Sequence, residues 1–255
     1  MNKIYILLIF LTFSCSKPLE KPNLLFILVD DLGWTDVSYN GSDFYETHNI
    51  DRLSSNSMLF YNAYASSSVC SPTRAAIMTG KHPARVNITD WIPGLEEQPH
   101  YNNKNKPLIG PQDLNELPLS EITIAEVLKK NGYKTFYSGK WHLGSEGHYP
   151  EDQGFDINVG GFEKGSPMGG YYTPYKNPKL EDGPEGEYLT DRLTQETIDF
   201  IDSRDESKPF AAFLAFYNVH TPIQENKEFY DYYIEKLKGY DDIEPVTKKE
   251  GDAIT

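Results

Sequence analysis

Two cysteines in 255 residues are too few for a disulfide scaffold, and they stand far apart, at Cys15 and Cys70. An apolar core must therefore hold the fold. Basic residues are also scarce: 24 Lys and Arg face 38 Asp and Glu, for a formal net charge of −14. Such a surface repels nucleic acid and anionic membranes, so neither is an expected partner. Long apolar runs are absent too. The run Ile4 to Phe13, after Met1-Asn2-Lys3, is too short to span a bilayer as a helix. It fits the apolar region of a secretory signal.

That run leads into Thr12-Phe13-Ser14-Cys15-Ser16. A small residue followed by cysteine at this point resembles a bacterial lipoprotein signal. Residues 1–15 are accordingly read as a signal peptide with Cys15 as lipidation site, and 16–22 as a polar tether. An ordinary cleaved signal with an incidental cysteine is the alternative. The resemblance implies the lipoprotein export and lipidation machinery as partners, and a place in the periplasm or on the outer membrane of a Gram-negative bacterium.

What is present is 38% hydrophobic and 13% aromatic residues, enough for one sizeable domain over residues 23–255. Asn23 to Val29 is a nearly continuous apolar run and reads as a buried central strand. A short helix is expected over 49–56 with Ile50 and Leu53 inward, then an extended piece over Met58 to Ala65. Pro72 suits the first turn of a helix running to about Thr79, where Gly80 stops it. Trp91 to Pro118 lacks any period and reads as a long surface loop of the kind that carries substrate contacts. Ser120 is expected to cap a helix through Asn131, with Ile124, Val127 and Leu128 inward and Gly132 ending it. Tyr133 to Ser138 reads as a strand and Gly144 to Gly186 as irregular. Tyr188 to Ser203 follows as a helix, Pro209 to Phe216 as a buried strand and Glu228 to Lys238 as a last helix, before a solvated tail over 239–255.

This alternation predicts an α/β sandwich with a mostly parallel mixed sheet. Sites in such sheets form beyond the carboxyl ends of the strands. Asp30-Asp31, Lys140 with His142, and His220 each follow an apolar run, so three separate segments aim polar groups at one sheet edge.

Ser68-Val69-Cys70-Ser71-Pro72-Thr73-Arg74-Ala75-Ala76-Ile77-Met78-Thr79-Gly80 contains C-x-P-x-R closed by Thr-Gly. Gly132 to His142, ending Gly139-Lys140-Trp141-His142, forms a second pattern. Together they make the chain resemble the type I, formylglycine-dependent sulfatases of the alkaline-phosphatase-like superfamily. The resemblance implies that a maturase oxidises Cys70 to formylglycine (3-oxoalanine), whose hydrate attacks sulfur and then expels sulfate. It implies that Asp30, Asp31 and the Cys70-derived oxygen hold Ca²⁺, or Mg²⁺, and that Arg74 steadies the formylglycine hydroxyls. Lys140 would pair with sulfate oxygens, His142 would take a hydroxyl proton as sulfate leaves, and His220 would contact sulfate or protonate the leaving alcohol. Trp141 is expected to pack. A sulfated polysaccharide or oligosaccharide is the implied substrate.

Taken without that context, several of these residues have plainer readings. An acidic pair after a strand is often an exposed turn, and a histidine there is often structural. Lys81, His82 and Arg85 read best as a solvated helix end. The family completes its metal site with an Asp-Asn pair at the end of a later strand and supplies another lysine beyond it, and no strand followed by Asp-Asn-Gly occurs after His220 here. A catalytic domain incomplete at its C-terminus is therefore expected. Two other functions remain open at this point: a phosphate mono- or diester hydrolase of the same superfamily, and a non-catalytic surface protein that binds sulfated glycans.

Overall fold

The computed structural model describes residues 21–93 and 113–240. The leader with Cys15, most of the tether, residues 94–112 of the long loop and the tail from 241 lie outside the described residues. Four strands, β1 (Leu24–Leu28), β2 (Lys134–Gly139), β3 (Ile157–Val159) and β4 (Phe210–Ala215), form one sheet in the order β1-β4-β2-β3. Every pairing is parallel. Parallel neighbours need long crossovers, and the helices supply them: α1 (His48–Ser55), α2 (Cys70–Thr79), α3 (Pro83–Val86), α4 (Ile124–Lys130) and α5 (Leu189–Asp202), with α6 (Tyr230–Leu237) after the last strand.

β4 is one of two inner strands, beside β2, and all six of its residues are buried. Its side chains alternate. Ala211, Phe213 and Ala215 join Ala75, Met78, Leu117, Trp141 and Phe155 on the face covered by α2 and α4. On the other face Leu214 meets Leu189, Leu193, Tyr171 and Tyr217, while Phe210 and Ala212 pack with Phe136 near Phe200. Phe136 and Phe200 stack with centroids 4.4 Å apart. Two helix-covered faces on a parallel sheet give the expected α/β sandwich, and each large side chain so buried contributes roughly 1.5–3 kcal/mol.

Several local expectations are corrected. Among the described residues β1 lies at the edge of the sheet, not at its centre, and Leu25 and Ile27 are about half exposed. Its apolar residues reflect two apolar faces, which says nothing of how many neighbours the strand has. Met58 to Ala65 pairs with no strand among the described residues, and Met58, Phe60, Tyr61 and Tyr64 are exposed. Ile50 and Leu53 also face outward. In α4 the buried residue is Ala125, whereas Ile124 and Val127 are exposed and only Leu128 packs on the core. Its cap is Thr123 rather than Ser120: the hydroxyl accepts from the Glu126 N–H while the Glu126 carboxylate accepts from the Thr123 N–H. Both bonds satisfy amides that the first helical turn leaves orphaned.

Gly139 ends β2 with φ +99°, and a Cβ there would sit 2.0 Å from the Ala215 carbonyl oxygen. Only glycine permits that approach. The chain can then turn away from β4 and deliver Lys140 and His142 above the sheet.

Candidate active site

Three strand ends and one helix start meet at Cys70. Asp30 follows β1, and its N–H donates to the Asn218 carbonyl at 2.7 Å, tying the β1 exit to the segment after β4. His220 lies in that segment, with its carbonyl accepting from the buried Tyr171 hydroxyl at 2.8 Å. Lys140 and His142 follow β2. Cys70 opens α2, with Pro72 in its first turn. The free amides and dipole of that end favour negative charge beside Cys70.

The innermost layer is a buried charge cluster. Lys140 and Arg74 are buried, and both converge on Asp30. The Lys140 ammonium contacts Asp30 Oδ2, and Arg74 Nη2 lies 3.3 Å from Oδ1. Arg74 also donates through Nη1 to the Lys140 carbonyl, which accepts the Tyr137 hydroxyl as well. Burial pushes the Tyr137 phenol up to about 12, so it remains a donor. For Lys140, burial and then the neighbouring Arg74 lower its pKa, against the pull of Asp30. Arg74 Nε is buried with no hydrogen-bond partner among the described residues.

Cys70 itself is half-buried. Burial alone would push its thiol up, but the neighbouring imidazoles of His142 and His220 and the charge of Lys140 outweigh it, bringing the thiol to about 5. His220 is raised chiefly by its proximity to Cys70, against burial. The Asp30 carboxylate, the Cys70 sulfur and a His220 nitrogen all lie within 4.8 Å of one another. Asp31 is exposed, with Oδ2 3.9 Å from His220 Nε2. Asp31 therefore stands at the rim, while Asp30 forms the floor.

His142 is fixed on several sides. It is buried, its ring Nε2 contacts the Ile92 carbonyl, and its backbone sits at φ 58°. A Cβ on Gly165 would fall 2.4–2.7 Å from three of its ring atoms. Ser71 Oγ donates to the His142 carbonyl and accepts from the Ile92 N–H, both at 3.0 Å, so it stitches the Cys70 helix to both loops. Ser71, the Ile92 carbonyl and Gly165 were not singled out from the sequence. Ser71 lies inside the Cys70 motif; the other two act through a main-chain oxygen and a missing side chain. Trp141 packs, fully buried, as expected. Lys81 pairs with Glu121 and His82 caps α3, so neither reaches Cys70.

A pocket of about 740 Å³ opens above Cys70, His142 and His220. Its outer wall includes Trp91, Glu116 and Ser145. Trp91 and Glu116 come from the long loop expected to carry substrate contacts.

The sulfatase family profile matches residues 22–243. The human N-acetylgalactosamine-6-sulfatase is 31% identical over 229 residues, covering 82% of this chain and 42% of that protein. The human arylsulfatase G is 36% identical over 170 residues, covering 66% of this chain and 29% of that protein. Among solved structures, Ps i-CgsB in complex with k-i-k-neocarrahexaose superposes with a TM-score of 0.66 at 29% identity, over 85% of this chain and 49% of that one. BT4656 in complex with its substrate D-glucosamine-2-N,6-O-disulfate gives a TM-score of 0.65 at 25% identity, over 89% and 40%. The chain thus spans less than half the length of these relatives. With a matched profile over most of its residues and the motif side chains gathered at one sheet edge, the chain belongs to the sulfatase family.

Proposed function

We propose that the protein is an exported sulfuric ester hydrolase acting on a sulfated carbohydrate, with a formylglycine hydrate made from Cys70 as nucleophile. The observation that carries this is the placement of Cys70 at a helix start, against His142, His220 and Lys140, on the floor of the pocket. A hydrated aldehyde there supplies two hydroxyls on one carbon, one to attack sulfur and one to expel sulfate by returning to the carbonyl.

The chain's own residues divide the remaining work. Lys140 and Arg74 supply fixed positive charge beneath the nucleophile, where a low-dielectric site strengthens it. His142, locked by Ile92 and Gly165, is placed to hold a proton from the nucleophile's second hydroxyl. His220, half-buried at the mouth, is placed to give a proton to the departing alcohol.

Asp30 and Asp31 offer the hard oxygens that calcium prefers, and converting Cys70 replaces a soft sulfur with a third oxygen. The donor set fits Ca²⁺ or Mg²⁺ at the site that Asp30 shares with Cys70 and His220. A bound cation would offset the charge of the sulfate ester. The Asp30 carboxylate also faces Lys140 and Arg74.

Lipidation at Cys15 and delivery to the periplasm or outer membrane complete the proposal, with a formylglycine-generating maturase as partner. No helix among the described residues is long and apolar enough to cross a membrane. The full-length protein, produced with a maturase, is expected to turn over 4-nitrophenyl sulfate much faster than 4-nitrophenyl phosphate. The reverse ranking would make it a phosphate ester hydrolase; binding of sulfated glycans without turnover would make it a lectin-like surface protein.

A further inference from the structure

Half of the pocket wall plays no part in the chemistry at Cys70. Glu116 stands there, held from behind. Its Oε2 meets His148 Nδ1 at 2.5 Å, and its Oε1 accepts from Ser145 Oγ at 3.1 Å. His148 is anchored in turn, because its carbonyl accepts the indole N–H of the fully buried Trp141 at 2.8 Å. Gly144 makes room: a Cβ there would lie 2.7 Å from His148 Cβ and 3.2 Å from Glu116 Cβ. The Glu116 carboxylate is therefore held at the wall by Ser145 and the ion-pair contact with His148. A carboxylate offers about four lone-pair sites, so the one hydrogen bond it accepts, from Ser145, leaves acceptor capacity for a ligand.

The rest of this wall matches that character. Glu163 is held by the Tyr149 hydroxyl at 2.8 Å. Lys164 is the one lysine or arginine among the described residues lining the pocket, and its ammonium lies 3.7 Å from Glu163 Oε1. Trp91 adds a flat, partly exposed apolar surface. Among the described residues the wall thus presents hydrogen-bond acceptors and an aromatic face, with its one lysine paired to Glu163. Such a surface takes hydroxyl donors and the C–H face of a sugar ring, and it repels a second anion.

We infer that this wall is the leaving-group subsite, that Glu116 accepts hydrogen bonds from free sugar hydroxyls, and that the subsite selects sugars with one sulfate over those with a second sulfate nearby. The inference rests on the sulfatase reading above and adds the residue that sets specificity. His148 and Ser145 act only through Glu116, as positioning residues.

The test uses full-length matured protein and its Glu116→Gln variant. The substrates are 4-nitrophenyl sulfate, which carries no hydroxyl, the 4- and 6-sulfates of N-acetylgalactosamine, and N-acetylgalactosamine 4,6-disulfate. The parent protein is expected to favour its better monosulfate over the disulfate by tenfold or more in kcat/KM. Loss of a hydrogen bond to a charged group corresponds to about a tenfold change or more. Glu116→Gln should accordingly lower kcat/KM on that monosulfate by about tenfold more than on the aryl ester, and should narrow the gap to the disulfate. Equal losses on aryl and sugar esters, a parent preference for the disulfate, or turnover of the aryl ester with none of the sugars would each overturn the inference alone. If Glu116→Gln does not fold, the parent's ranking of mono- against disulfate still decides. Inactivity of the parent on every ester would overturn the sulfatase reading itself, and this inference with it.

Discussion

The Lys140 ammonium rests on the Asp30 carboxylate, joining the ends of two strands that are 110 residues apart in sequence and not adjacent in the sheet. Arg74 contacts the other oxygen of the same carboxylate. Asp30 is thus the carboxylate that both buried cations share.

Asp30→Asn removes that carboxylate and leaves Lys140 and Arg74 without their shared ion-pair partner. Breaking a buried ion pair by deleting one partner costs about 3–5 kcal/mol. Urea unfolding of the variant should show a loss of that order, and Asp30→Asn combined with Lys140→Met should recover part of it. A loss below about 1 kcal/mol would mean that solvent or another group compensates the cations.

The unconverted thiol has its own pH signature. Its folded value of about 5 lies below its ordinary value of 9.0, so the stability it contributes is full above pH 9.0 and is lost as pH falls through about 5. His220 runs the opposite way. Its value is raised above 6.5, so its share is full below pH 6.5 and is lost as pH rises through the raised folded value. In protein made without a maturase, alkylation of Cys70 by iodoacetamide should half-saturate near pH 5, followed by peptide mass. A midpoint near 8–9 would show that His142 and His220 do not hold the thiolate.

Gly165 carries no functional group, yet it bounds the His142 ring. Gly165→Ala would place a methyl 2.4 Å from His142 Cε1, and the ring must move. Displacing a reacting group by about 1 Å costs on the order of 100-fold. Matured Gly165→Ala protein should lose kcat to about that extent with little change in melting temperature. Wild-type kcat in the variant would show that the ring has room to spare.

The chemistry was more legible in the sequence than the packing. Cys70, Pro72 and Arg74 are fixed in spacing because the helix that starts at Cys70 must also bury Arg74 under it. Asp30, Lys140 and His220 were visible as polar residues ending apolar runs, and the parallel sheet brings those runs into register. The edge position of β1 was not visible, since apolar character does not count neighbours. Nor was the outward turn of Ile50, Leu53 and Ile124, whose helical spacing suggested burial but which the sheet leaves uncovered. Ser71, Ile92 and Gly165 escaped for another reason: a bridging hydroxyl, a main-chain oxygen and an absent Cβ leave little mark on a single sequence.

Cys70 decides the chemistry, and one experiment addresses it. Full-length protein from a host with an active maturase is digested, and the peptide spanning Cys70 is weighed and treated with a hydrazide. The expected result is an aldehyde in place of the thiol, with sulfatase activity that rises in step with the converted fraction and disappears in Cys70→Ala. A thiol that stays unconverted in protein hydrolysing sulfate esters at full rate would contradict it.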